Sequence, residues 1–246
     1  AHRLLEAGTK GDRVAHLMPD SPSVFIALLA ALKAGRINHV LNHRDPLPRL
    51  EELVADSEPE AIVTAAPHVD LATRLAGGRA RVIRVDEPVE GLPDASPAVS
   101  IDPADGAYLV YTSGSTGKPK AVLQPHAHIV RAALGVNEVM ALAPADRIVL
   151  VASLWGGQAT NTTWSTLFAG ATLLPFPTVD YGVTGLEAWL AENRITIFIS
   201  AASLFRRFMK TLHPATTFPG IRLVKVSSDA ATWEDFRAFR EHFPNG

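Results

Sequence analysis

The chain has 246 residues, 47% of them hydrophobic, enough to bury one large core or two modest ones. Lys and Arg number 23 against 25 Asp and Glu, which leaves neither a basic face for nucleic acid nor a polyanionic tail, and with no cysteine there are no disulfides, thiolate metal ligands or thiol nucleophiles. The longest apolar run, Val24 to Leu32, falls far short of the ~18 residues that suggest a membrane span, which with the cysteine-free composition fits a cytoplasmic setting.

Short β-rich runs alternate with longer amphipathic ones. Strands are expected at Arg13 to Met18, Ile37 to Leu41, Ala61 to Thr64, Val82 to Val85 and Tyr108 to Thr112, then at Ile148 to Ala152, Thr172 to Leu174, Thr196 to Ile199 and Leu223 to Val226. Helices fill most of the gaps. Phe25 to Ala34 reads as an apolar helix ended by Gly35, and His126 to Met140 carries Ile129, Ala132, Ala133, Val136 and Met140 at helical spacing. This alternation predicts an α/β fold of mostly parallel sheets covered by helices. Gly91 to Pro103, rich in Pro, Ser, Asp and Ala, reads as a linker between a first α/β lobe, residues 1–90, and a second, residues 104–246.

The run Tyr111 to Lys120, YTSGSTGKPK, lies between two short strands, Ala107 to Tyr111 and Ala121 to Leu123. Gly114 and Gly117 lack a Cβ, so backbone N–H groups can approach a ligand closely and form an anion-binding concavity. Thr112, Ser113, Ser115 and Thr116 add hydroxyl donors, and Lys118 and Lys120 add charge on long stems. Pro119 removes a donor and keeps Lys118 extended, so the loop does not coil into a helix. These are the parts of a polyphosphate cradle. The glycine spacing is too short for a Walker A loop, and proline follows the lysine where Ser or Thr would be needed.

The segment Gly106 to Val122 resembles the signature of the adenylate-forming (AMP-binding) superfamily, which comprises acyl-CoA synthetases, nonribosomal peptide synthetase adenylation domains and luciferases. Phe25 to Gly35, Leu167 to Leu173 and Leu223 to Ala230 are similar to further core elements of that family. The resemblance implies two lobes of a large N-terminal domain, with the C-terminal domain absent. It also implies an ATP- and Mg²⁺-dependent ligase that turns a carboxylic acid into an acyl adenylate and pyrophosphate, then a thioester on CoA or a carrier-protein phosphopantetheine. On this reading Lys118 and Thr116 are catalytic, and Thr112, Ser113, Gly114, Ser115, Thr116, Gly117, Lys118, Ser228 and Asp229 bind the nucleotide. The chain looks like a piece of a larger enzyme and is expected to be inactive alone.

By the same resemblance, the helix from Gly156 to Phe168 lines the acid pocket with Trp155, Gly156, Gly157, Gln158 and Asn161. In peptide-synthetase domains an aspartate near the start of this helix holds the substrate α-ammonium; here that position is Gly157, and no carboxylate lies from Ser153 to Phe176. An unpaired buried cation would be costly, which argues against an ordinary α-amino acid. Trp155 and Trp164 are either aromatic walls or, for Trp164 especially, core; Gln158, Asn161 and Thr162 are either donors to a polar acid or a solvated helix face. His126 reads as a helix-start or packing residue, and His39, His43, His68, His128 and His213 show no metal-ligand spacing, so no protein-bound metal is expected. Two departures stand out: Ala121 replaces the usual glycine after Lys120, and Ser227-Ser228-Asp229 replaces the family's Gly-Gly-Glu turn beside the nucleotide. They open an alternative, a degenerate nucleotide-binding or scaffolding module without turnover.

Overall fold

The computed structural model describes every residue except Lys10, Asp20, Val89, residues 113–119, Trp155 and Gly156. The chain divides into two compact units, Ala1–Ile129 and Val130–Gly246.

The first unit opens with α1 (His2–Leu5), β1 (Arg13–Leu17), α2 (Pro22–Lys33), β2 (Ile37–Val40), α3 (Leu47–Ser57), β3 (Ala61–Thr64), α4 (Val69–Ala76) and β4 (Arg81–Arg84). It closes with the hairpin β5 (Gly106–Thr112) and β6 (Lys120–Pro125), followed by the start of α5 (His126–Met140). The six strands form one sheet in the order β4-β3-β1-β2-β5-β6, parallel except for the β5–β6 pair. Helices cover both faces of such a sheet, so β1 from Val14 onward and β3 are buried along their length rather than alternately, with Ala15, Leu17 and Ile62 fully buried against Leu50 and Ala72. Pro22 starts α2 at its first turn, and Gly35, at φ 67°, ends it in a left-handed conformation that glycine takes without strain.

The second unit contains β7 (Arg147–Leu150), α6 (Gly157–Phe168), β8 (Thr172–Pro175), α7 (Thr178–Tyr181), α8 (Leu186–Glu192), β9 (Ile197–Ala201), α9 (Ala202–Met209), β10 (Leu223–Ser227) and α10 (Trp233–His242). Its four strands are parallel in the order β10-β9-β7-β8. A phenylalanine cluster fills the space between sheet and helices: Phe198 lies 5.7 Å from Phe208, and Phe218 stacks on Phe243 at 5.2 Å. Each fully buried ring contributes about 1.5–3 kcal/mol.

In both units the first strand is followed by a step one way across the sheet, and the next strand returns to the first strand's other side. This reversal opens a crevice at the carboxyl ends of β1 and β3, and of β7 and β9, where open α/β sheets take their ligands.

The expected division at residues 91–103 is corrected. That stretch forms no helix or strand, but the strand after it pairs in parallel with β2, Tyr108 opposite Asn38, and so completes the first sheet. The unit therefore runs on to Ile129, and the glycine-containing loop belongs to the first unit rather than opening the second.

Candidate functional site

The candidate site of the first unit is the β5–β6 hairpin. Thr112 pairs with Lys120, Tyr111 with Ala121 and Val110 with Val122, so the two ends of the glycine-containing run are held side by side. Thr112 Oγ1 donates to Lys120 O at 3.4 Å, and both residues are exposed at the base of the loop. Ser113, Gly114, Ser115, Thr116, Gly117 and Lys118, expected to carry the phosphate contacts, lie outside the described residues.

The strand that feeds this loop is tied down from α3. Tyr111 donates its hydroxyl to Asp56 Oδ2 at 2.6 Å, and its ring lies 4.9 Å from that of His39, whose Nδ1 shares a hydrogen bond of 3.0 Å with Ser57 Oγ. Burial first, and the neighbouring carboxylate second, push the Tyr111 phenol well above its ordinary pKa, so it remains a donor across the physiological range. Neither Asp56 nor its role is visible in the sequence pattern, because the two residues stand 55 positions apart.

The second unit, taken by itself, offers a candidate site at the carboxyl ends of β7, β9 and β10. Gly157 and Asn161 are exposed on α6, and a Cβ at Gly157 would meet no described atom within 4 Å. Gln158 Nε2 donates to Ser227 Oγ at 2.9 Å, and Ser228 Oγ donates to Gln158 Oε1 at 3.3 Å. The structure thus joins one residue expected in the acid pocket to another expected at the nucleotide. Ser228 sits at φ 72°, a left-handed conformation that costs a non-glycine residue about 1–2 kcal/mol. Asp229 follows it, exposed. Trp164 is 3% exposed, with its ring 6.3 Å from that of Phe168, and belongs to the core; Trp155 and Gly156 lie outside the described residues.

A residue that sequence reading passed over fixes the far side of the same turn. Arg206, on α9, donates through Nη2 to Ala230 O at 2.8 Å and forks onto Asp235 at 2.9 and 2.8 Å. The guanidinium holds the Asp235 carboxyl down at about 2, and Asp235 in turn completes a capping box with Thr232 at the start of α10. Among the described residues no group of three or more His, Asp or Glu is placed to hold a metal ion. Nor is any helix among them long and apolar enough to cross a membrane.

A family model described as AMP-binding enzyme matches residues 1–245. The chain belongs to that family. Among its relatives, it is 30% identical over 270 residues to an L-proline–[L-prolyl-carrier protein] ligase of Streptomyces coelicolor, covering 100% of this chain and 50% of that one. It is 29% identical over 208 residues to a feruloyl-CoA synthase of an Amycolatopsis species, covering 84% and 42%. The chain spans half or less of the length of these curated relatives. The fold matches that of ATP-bound MatB from Rhodopseudomonas palustris with a TM-score of 0.86, at 21% identity over 99% of this chain and 50% of that one. Within an AMP-binding enzyme the Ser227-Ser228-Asp229 departure takes on a structural meaning. The backbone at Ser228 adopts the conformation that glycine favours, and side-chain bonds hold it there.

Proposed function

We propose that this chain is the ATP-handling part of a ligase that activates a carboxylic acid as its acyl adenylate, releasing pyrophosphate, and passes the acyl group to a thiol, either CoA or a carrier-protein phosphopantetheine. The run Thr112 to Lys120 carries this reading. Its two ends are exposed and held side by side by the hairpin, and the donor set is hydroxyl and ammonium, the chemistry that suits a polyphosphate. The names of the relatives support it, since one is a synthase of a CoA thioester and another a ligase to a carrier protein.

Thr112, Ser113, Ser115 and Thr116 would donate to phosphate oxygens, Lys118 would offset charge on the departing pyrophosphate, and Ser228 and Asp229 would face the nucleotide. Magnesium, when bound with the nucleotide, would help neutralise the same charge. A neutral first turn on α6, with Gly157 where a carboxylate would meet an α-ammonium, supports an acid that carries no such cation.

The test is ATP–pyrophosphate exchange by the polypeptide that contains this chain at the family's full length, over a panel of amino, aryl, hydroxy and fatty acids. Exchange stimulated by one acid class, and lost on replacing Thr116 and Lys118 together by alanine, is expected. ATP binding without exchange for any acid would overturn the reading in favour of a nucleotide-binding module without turnover, to which the serines of the 227–229 turn would then belong.

A further inference from the structure

At the turn after β10 a strained backbone, two side-chain hydroxyls and a side chain from another element meet. Ser228 is held at φ 72° with no glycine to make that conformation cheap. Its neighbours explain how it stays there. The primary amide of Gln158 is engaged at both ends: Nε2 donates to Ser227 Oγ at 2.9 Å, and Oε1 accepts from Ser228 Oγ at 3.3 Å. The amide therefore spans two successive residues across the bend. The first turn of α6 keeps Gln158 in place, since its carbonyl accepts from Thr162 Oγ1 at 2.9 Å and Thr162 is buried. On the turn's other side Arg206 Nη2 holds Ala230 O at 2.8 Å. Helices that follow β7 and β9 thus brace the turn that follows β10, at the sheet end where ligands bind.

We propose that Gln158 is a positioning residue: its amide locks the Ser227-Ser228 turn in its left-handed form and so shapes the nucleotide side of the site, instead of contacting the acid. The proposal rests on the adenylating function proposed above for what the turn faces; the clamp itself rests on the contacts alone. It accounts for how this chain keeps a glycine-type bend with serines, and it links the start of α6 to the turn, so that a change at one is felt at the other.

The decisive variants are Gln158→Ala, Ser228→Gly and the pair, in the full 246-residue chain. ATP binding is titrated by calorimetry, and urea unfolding is followed by tryptophan fluorescence, which reports the second unit because all four tryptophans lie beyond residue 130. Gln158→Ala should weaken ATP binding about tenfold in the wild-type background but less than about twofold on top of Ser228→Gly, because glycine holds the bend without a clamp. The unfolding midpoints should show the same non-additivity. An equal loss in both backgrounds, or an unchanged ATP affinity in Gln158→Ala, would overturn the proposal. If the wild-type chain itself binds no ATP, the nucleotide role given to the turn in this chain is overturned, while the adenylating reading stands or falls by exchange in the full-length polypeptide. The unfolding cycle then decides the clamp separately, with additive effects of the two substitutions overturning it.

Discussion

Arg206 on α9 and Asp235 on α10 meet in a two-bond fork of 2.9 and 2.8 Å, with the Asp235 side chain 7% exposed and Arg206 at 38%. The guanidinium is the leading cause of the low Asp235 pKa, about 2 against an ordinary 3.8. A depressed carboxylate contributes stability that is fully present above its unfolded value and is lost as pH falls through its folded one. Arg206→Ala should therefore lower the urea midpoint of the second unit at neutral pH, and the gap to wild type should shrink as pH falls from about 4 toward 2. Tryptophan fluorescence at matched pH values checks this, and a gap of constant size down to the acid end would show that the ion pair is not what the substitution removes.

The buried histidines of the first unit titrate the other way. Burial is the leading cause that lowers His16 and His39 from 6.5 to about 4, reinforced at His39 by the charge of His16. His43 and His68, ring to ring at 4.7 Å, are lowered by burial as well, and His43 further by the charge of His68. Between pH 6.5 and about 4 the unfolded chain binds the protons of His16 and His39 and the folded chain does not, so stability must fall with pH by up to about 1.4 kcal/mol per unit for each of these two groups. His39→Gln removes one such group. Urea unfolding followed by circular dichroism should show a shallower acid dependence in that variant and an unchanged one above about pH 7.

Much of this fold is legible in the residues themselves. Each expected strand lies within a residue or two of an observed one, because Val, Ile and Leu runs between turn residues leave little choice, and α5 follows its apolar spacing from His126 to Met140. What local pattern does not carry is pairing. Nothing near Tyr108 says that its strand will lie beside Asn38, and so the division expected at residues 91–103 falls inside the first unit. The same holds for the candidate site. The loop from Thr112 to Lys120 announces itself by composition, whereas Asp56 under Tyr111 and Arg206 on Ala230 are contacts between residues 55 and 24 apart, and no spacing rule reaches that far. The sequence offers Gln158 either as a donor to a polar acid or as part of a solvated face of α6, and the direction its amide takes depends on Ser227 and Ser228, some 70 positions away.

Glu58 ends α3 at φ 41° and ψ 60°, with its N–H on Val54 O and its side chain exposed. A non-glycine residue pays for that left-handed cap, and glycine would not, although glycine also gains freedom in the unfolded chain. Glu58→Gly should stabilise the first unit by a net of about 0.5–1 kcal/mol. Denaturant unfolding read by circular dichroism measures it, and a loss of stability would mean that the glutamate side chain holds something the backbone does not require.

Gly157 offers the most direct test of what the acid pocket accepts. It begins α6, it is exposed, and a Cβ there would have no described atom within 4 Å, so an aspartate can be introduced without displacing those neighbours. A carboxylate in the first turn of a helix also interacts favourably with the helix dipole, by about 0.3–1 kcal/mol. Gly157→Asp should thus fold at least as well as wild type by denaturant unfolding. If the neutral start of α6 is what disfavours an α-ammonium, the variant should gain ATP–pyrophosphate exchange with α-amino acids and lose it with acids that carry no cation, since such an acid, once bound, would cover the carboxylate without pairing it. Unaltered acid preference in a well-folded variant would remove Gly157 from the pocket and place the selection elsewhere on the second unit.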